Sequence, residues 1–444
     1  MALTTSVSPA DVLTVASAAA PPAAGSPPAP PPGLSATLAA NEELDARRRR
    51  GERVLPLAFG EVGLPTHPLL RSALGEAAVH NEYGPVAGHA SLREAAAGYW
   101  TRRGLPTSPG EVVCGPGSKS LLFGLVLSLG AEVAIARPSW VSYVAQASLA
   151  GSRAVYVPAV RGQGGVPDPA ALARAVTAVR ASGRRIGGVI VTLPDNPTGR
   201  LADADTVRGL CDVARRHDLL IISDEIYRDL VHSVPDGEFH SPAAIAPERT
   251  VVTAGLSKNL ALGGWRIGVA RLPGRQLRDR LLGICSEIWS APASPVQRAA
   301  ALGFAESADI TERVGRSRFL HGRVARAVAA RFAAAGAHVP PPQAAFYVYP
   351  DFAPHRAALR RRYDVTTGAG LAALLLRRYG IGVLPGSAFG EPARELRLRV
   401  ATSRLYGEAA WQQEAALGSA DPVALPWTAA SLSWLEESLA DLTG

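Results

Sequence analysis

Lys119 and Lys258 are the only two lysines in a chain of 444 residues; all the other basic side chains among its 46 Lys and Arg are arginines. An arginine keeps its proton near neutral pH and cannot serve as an amine nucleophile, whereas a lysine shielded from water can. Lys258 follows the apolar run VVTAG and stands next to Ser257. Two other apolar runs end on polar residues in the same way. GVIVTL leads into Pro194, Asp195, Asn196, Pro197, Thr198 and Gly199, and LLII leads into Ser223, Asp224, Glu225, Ile226 and Tyr227. Taken singly, each segment has an ordinary reading as a turn, a helix cap or a surface loop. Together they place an amine nucleophile, a carboxylate, an amide and a phenol at the ends of successive apolar runs. A pyridine ring used as an electron sink needs this set: the lysine binds its aldehyde, and the carboxylate keeps its ring nitrogen protonated.

A further segment, CGPGSKSLLFGL, opens an apolar stretch of helical spacing with small residues, Gly117 and Ser118, followed by Lys119. Backbone N–H groups at such a helix start suit a phosphate. A Walker loop would need Gly where Ser118 stands, and GxGxxG would need Gly at Ser120, so neither nucleotide motif is present. A plain helix cap is the alternative.

The elements that must position these groups follow from the hydrophobic pattern. Strand-length apolar runs at Val133 to Ala136, Ala154 to Val157, Gly188 to Leu193, Leu219 to Ile222, Val251 to Ala254 and Trp265 to Ala270 alternate with stretches of helical spacing. One of these, Ala202 to His217, sets Val207, Leu210, Val213 and Ala214 on one face. The alternation predicts an α/β fold with a mostly parallel central sheet flanked by helices. In such a sheet ligands bind beyond the carboxyl ends of the strands, where the polar segments fall. From about residue 331, a strand pair around Phe346 to Tyr349, a helix at Gly368 to Tyr379 and a strand at Leu396 to Val400 read as a smaller unit.

Composition narrows the function classes. With 47% hydrophobic and 19% charged residues the chain can bury a large core, and its length exceeds the usual single domain. The formal charge of +8 comes from arginines spread along the chain, with Arg47 to Arg50 the only dense run. That run reads as a solvated junction, and no nucleic-acid partner is expected. Cys114, Cys211 and Cys285 are odd in number and far apart, which indicates neither a disulfide framework nor a metal site. No basic leader and no span-length apolar run is seen, so a cytoplasmic protein without a membrane partner is expected. Residues 1–45, rich in Ala and Pro, are expected to form a disordered tail.

The segments DNPTG at 195–199, SDEIY at 223–227 and SKNLALGGWRIG at 257–268 resemble the signature segments of class I aminotransferases, pyridoxal-phosphate enzymes of the aspartate-aminotransferase fold. Similar matches are Tyr83 to Gly88 with Leu92 and Arg93, RPSWVSY at 137–143, LPGSAFG at 384–390 and LRLRVATS at 396–403, so the resemblance runs from about Gly60 to about Tyr406. It implies a large cofactor-binding domain at 83–330 and a smaller α+β domain from the terminal segments 46–82 and 331–444. It implies Lys258 as the Schiff-base lysine and proton shuttle, Asp224 on the ring nitrogen, and Asn196 and Tyr227 on the ring oxygen. Trp140 would stack on the ring. Ser257, Arg266 and the turn Gly117, Ser118, Lys119 would hold the phosphate, with Tyr83 reaching in from the partner of a homodimer. The substrates would be an amino acid and a 2-oxo acid, with Arg397 on the α-carboxylate, Arg399 lying close by, and Gly60 bordering the site.

Two places depart from the family pattern. Where dicarboxylate-specific members of one subgroup carry an arginine, ICSEIWSAPASPVQ at 284–297 has Ser286 and Glu287, which suggests that Glu287 or Trp289 borders a pocket for a neutral, aromatic or basic side chain. The stretch from about Glu408 to Trp427 reads as a variable surface insertion before a closing helix, Ala430 to Leu442. Transamination is the leading function. Elimination, cyclisation or amine oxidation on the same scaffold is the runner-up, and a regulator using the domain as a sensor is a third reading, disfavoured because the Ala/Pro-rich tail is too short and too poor in large apolar residues to be a DNA-binding domain.

Overall fold

The computed structural model describes residues 33–233 and 239–444. Most of the expected tail, residues 1–32, lies outside the described residues, but its last part does not behave as predicted. A helix spans Ala36–Arg49, with the Ser35 hydroxyl accepting from the Leu38 N–H and Leu44 buried. The Arg47 to Arg50 run closes this helix and exchanges ion pairs with Glu43, Asp45 and Glu52. Averaging composition over the whole window hid a capped helix that tertiary packing of Leu44 secures.

Among the described residues twelve strands form three sheets: β1 Leu55–Pro56, β2 Val112–Gly115, β3 Glu132–Arg137, β4 Ala154–Pro158, β5 Ile186–Thr192, β6 Leu220–Asp224, β7 Thr250–Gly255, β8 Gly268–Arg271, β9 Tyr347–Val348, β10 Ile381–Gly382, β11 Leu384–Pro385 and β12 Leu398–Ala401. The seven-stranded sheet has the order β2-β8-β7-β6-β5-β3-β4. Strands β4, β3, β5, β6 and β7 run parallel, while β8 is antiparallel to both of its neighbours. The edge strand β2 escaped the sequence reading. The predicted strand from Trp265 begins only at Gly268, because Gly263–Trp265 forms a 3-10 turn and Arg266 takes a left-handed φ of 53°.

Helices cover the sheet as the pattern demands. Ala204–His217 is capped by Asp203, whose carboxylate accepts from the Thr206 N–H at 2.7 Å, and it buries Val207, Leu210, Val213 and Ala214. A cap of this kind contributes about 1 kcal/mol and each large buried side chain roughly 1.5–3 kcal/mol, so the buried face dominates. Ser118–Leu129 packs on the other side, its Leu121, Leu122 and Leu125 joining Val133, Ile135 and Ile222 in one core.

The ends of the chain meet in a second core. Strand β1 pairs with β10 in parallel, and Leu55, Leu57 and Val62 pack with Phe346, Phe352, Leu375 and Val400. The helix Ala308–Ala334 crosses the expected boundary at 330: its Ile310 packs with the sheet-side core and its Leu320 to Phe332 with this one. The closing helix is longer than expected, Pro426–Thr443, and buries Leu432, Leu435, Leu439 and Leu442. The stretch before it holds a helix, Ala410–Gly418. Among the described residues no helix is long and apolar enough to cross a membrane and no cluster of metal-ligating side chains occurs.

Candidate active site

Strand register builds the centre of the site. Thr192 of β5, Asp224 of β6 and Thr253 of β7 are cross-strand partners at the carboxyl ends of three parallel strands. Asp224 is buried and accepts from the Tyr143 hydroxyl at 3.0 Å and the Thr253 hydroxyl at 3.2 Å, while Tyr143 also bonds the Thr192 hydroxyl at 2.8 Å. Burial pushes the Asp224 carboxyl up to about 6, against the lowering effect of these hydroxyls. Its side-chain hydrogen-bond partners are hydroxyls, and no cation pairs with it among the described residues.

Lys258 sits just beyond β7. Its ammonium donates to the Gly60 carbonyl at 2.5 Å and lies 5.9 Å from the centre of the Tyr227 ring. Burial, followed by the nearby charges of Arg399 and Arg266, pulls its pKa down to about 8. An amine in that range is available as a nucleophile. Gly60 has to be glycine: a Cβ there would stand 2.2 Å from the Tyr347 hydroxyl oxygen, which itself hydrogen-bonds Tyr227 at 2.8 Å.

The turn before Ser118–Leu129 is shaped as a cradle. Gly117 has a φ of 83°, and a Cβ on it would meet the Arg266 guanidinium at 2.3 Å. Arg266, held by the Gly263 carbonyl at 2.9 Å, therefore lies against the backbone of the helix start. Ser118, Lys119, Ser257 and Arg266 line one end of a cavity of about 410 Å³, and Trp140, Asn196, Asp224, Tyr227 and Lys258 line the rest.

The structure corrects one assignment. Arg397 is engaged outside the cavity by Asp351 at 3.0 Å and Glu391 at 2.8 Å. Arg399 reaches the cavity instead. Arg397 stands just before β12 and Arg399 within it, and only Arg399 lines the cavity. Arg399 is 1% exposed, donates to Asn196 Oδ1 at 3.3 Å and to the Ala58 carbonyl, and leaves its Nε without an acceptor.

One other expectation meets the structure differently, while Tyr83, expected to serve a partner's site, is 93% exposed and lies outside this cavity. Neither Glu287 nor Trp289 lines it: Glu287 is exposed and bonds Ser286, and Trp289 packs beside Leu281. Sequence reasoning missed Tyr143, Tyr347, Ser35 and Thr37. Tyr143 had a signal, since it follows Trp140 by one helical turn and packs on it edge to face at 5.3 Å. Ser35 and Thr37 reach the cavity from the start of the unforeseen first helix.

A mostly parallel sheet with an amine, a carboxylate and an anion cradle at its carboxyl edge defines an enzyme site of the α/β class. The pattern of the family described as aminotransferase class I and II matches residues 54–407. Similar proteins include the aspartate/prephenate aminotransferase of Thermus thermophilus, 32% identical over 384 residues covering 83% of this chain and 92% of that protein. The aspartate aminotransferase of Geobacillus stearothermophilus is likewise 32% identical over 384 residues, with 83% and 92% covered. Among solved structures, the Thermus thermophilus aspartate aminotransferase with maleate superposes with a TM-score of 0.77 at 28% identity, covering 91% of this chain and 97% of that one. The aromatic aminotransferase of Pyrococcus horikoshii gives 0.72 at 26% identity, covering 90% and 99%. The chain belongs to the class I and II aminotransferase family and is an aminotransferase.

Proposed function

We propose that this aminotransferase binds pyridoxal 5'-phosphate covalently on Lys258 and moves an amino group from an acidic L-amino acid, aspartate being the foremost candidate, to a 2-oxo acid. The observation that carries this reading is a pair of buried, oppositely charged groups with no partner of opposite charge among the described residues: the Asp224 carboxylate, whose side-chain partners are hydroxyls, and the Arg399 guanidinium, with an orphaned Nε. A buried charge is stable only when paired. A protonated pyridine nitrogen would complete Asp224, and the α-carboxylate of an amino acid would complete Arg399 through a two-pronged contact.

The cofactor residues fit the group. Ser118, Ser257, Arg266 and the backbone after Gly117 form an anion cradle at a helix start. When bound, pyridoxal phosphate supplies the electron sink that makes the substrate's Cα–H acidic. The chain does the rest. Lys258 Nζ, with its pKa lowered to about 8, would take the proton from Cα and deliver it to the cofactor's aldehyde-derived carbon. Tyr227 and Asn196 would hydrogen-bond the ring, and Trp140 would stack on it. Arg399 holds the substrate, with Asn196 Oδ1 fixing the guanidinium.

Substrate choice follows from Lys119. Its ammonium lies 5.1 Å from the Trp140 ring centre, and no carboxylate pairs with it among the described residues. We assign it to a second, distal carboxylate rather than to the phosphate, in line with relatives that are named for aspartate. This replaces the expectation of a neutral, aromatic or basic side chain.

A larger unit around the seven-stranded sheet, a smaller one from the two ends of the chain, a homodimer in which Tyr83 serves the neighbouring site, and a cytoplasmic setting belong to the same reading. The test is an absorption spectrum of purified protein, with one sample treated with borohydride and a separate, untreated sample given aspartate alone. A chromophore that borohydride fixes to Lys258 in the first sample, and that aspartate converts to an amine form in the second, is expected, with parallel double-reciprocal lines in steady state. A protein that takes up no pyridoxal phosphate, or intersecting lines, would overturn the reading.

A further inference from the structure

A second cleft, of about 790 Å³, lies between the segment after the first helix and the 408–427 stretch that the family pattern does not reach. Its floor is apolar, built from Leu55, Pro56, Val62, Leu64 and Leu405, and two indoles, Trp427 and Trp434, form a wall. Arg53 stacks on Trp434, its guanidinium carbon 3.9 Å from the ring centre, and no carboxylate pairs with it among the described residues. The Trp427 N–H is buried and has no acceptor, while its ring is fixed edge to face against Trp411 at 5.4 Å. The acidic lining residues leave Arg53 uncompensated. Glu52 is taken by Arg47 and Arg50, Glu61 by Arg404 at 2.6 Å, and Glu408 stands exposed at the rim. Of the other two arginines, Arg48 is held by Asp45 and Arg404 by Glu61.

We propose that this cleft is a binding site for a small aromatic carboxylate. A guanidinium preorganised by stacking offers its N–H edge as a fork for a carboxylate. The apolar floor and the indole wall take a flat ring. Nothing in this argument uses the chemistry at Lys258, so the site stands or falls apart from the proposed reaction.

The cleft also touches the first cavity. Glu61 lines both, and its carbonyl accepts from the Ser403 hydroxyl while the Gly63 N–H donates to the Ser403 carbonyl at 3.1 Å. Its neighbour Gly60 receives the Lys258 ammonium.

The experiment is equilibrium binding of radiolabelled phenylacetate to the cofactor-loaded protein without turnover, for wild type, Arg53→Gln and Arg399→Gln. The expected result is a binding event that survives Arg399→Gln and is weakened at least ~10-fold by Arg53→Gln. Arg53 is exposed, so its replacement should leave the thermal midpoint unchanged and serves as the decisive variant. Absence of saturable binding, binding untouched by Arg53→Gln, or binding lost only in Arg399→Gln would overturn the proposal.

Discussion

The Asn259 side-chain N–H donates to Asp229 at 2.8 Å, joining the loop that carries Lys258 to the turn that carries Tyr227. Asp229 also accepts from the Tyr99 hydroxyl at 3.1 Å and from Arg103 at 2.7 Å, and Arg103 in turn holds Glu306. Two site loops thus hang from one partly buried ion-pair cluster. Asn259→Ala removes only the link to the Lys258 loop. It should cost about 1 kcal/mol of stability and lower kcat several-fold with little change in KM. It should also move the pH midpoint of Lys258 labelling, and an unchanged midpoint would show the link to be merely structural.

The lysine itself has a predictable titration. Its folded pKa of about 8 lies below the ordinary 10.5, so the unfolded chain binds the proton more strongly. Ligand-free protein is therefore penalised below pH 8, and the penalty fades as the pH rises from about 8 toward 10.5. The rate at which ligand-free protein captures pyridoxal phosphate should rise to half its maximum near pH 8. Lys258→Arg should capture none covalently, and a midpoint above about 10 would contradict the effect of burial.

Asp224 titrates in the opposite sense. Its folded pKa of about 6 exceeds the ordinary 3.8, so its stabilising contribution is full below 3.8 and is lost as the pH rises through 6. Asp224→Asn should make the ligand-free protein more stable at pH 7, by on the order of 1–3 kcal/mol, and should lower transamination at least ~100-fold. Chemical denaturation at pH 4 and pH 7 checks the first part: the gain should shrink at pH 4.

Arg397 and Arg399 separate by kinetics. Arg399→Gln removes the buried fork and should raise the KM for the amino donor by ~100-fold. Arg397→Gln breaks exposed and half-buried pairs with Asp351 and Glu391 and should leave KM within about threefold. Equal effects of the two substitutions would refute the assignment of Arg399.

A methyl group at Gly60 tests the packing of the site wall. Gly60→Ala sets a Cβ against the Tyr347 hydroxyl and should displace the carbonyl that receives Lys258. Activity should fall in Gly60→Ala and recover in part when Tyr347→Phe removes the oxygen; no recovery would place the defect in the backbone rather than in this contact.

The sequence by itself determined the alternation of strand and helix, because buried parallel strands must be apolar throughout and their covering helices must repeat every three to four residues. It also determined the chemistry at the strand ends: a scarce lysine, a carboxylate and an amide each follow directly on an apolar run, and strand geometry carries such residues to one edge of the sheet. Only the tertiary structure decided what depends on register and on contacts between distant segments. Arg397 and Arg399 are two positions apart, and which one enters the cavity is set by where β12 lies against β9 and β11. Tyr143 and Tyr347 became site residues through partners 81 and 120 positions away. The first helix, weak by composition, was settled by the burial of Leu44 against residues more than three hundred positions along the chain. Local periodicity records what a segment buries, whereas these outcomes rest on what it is buried against.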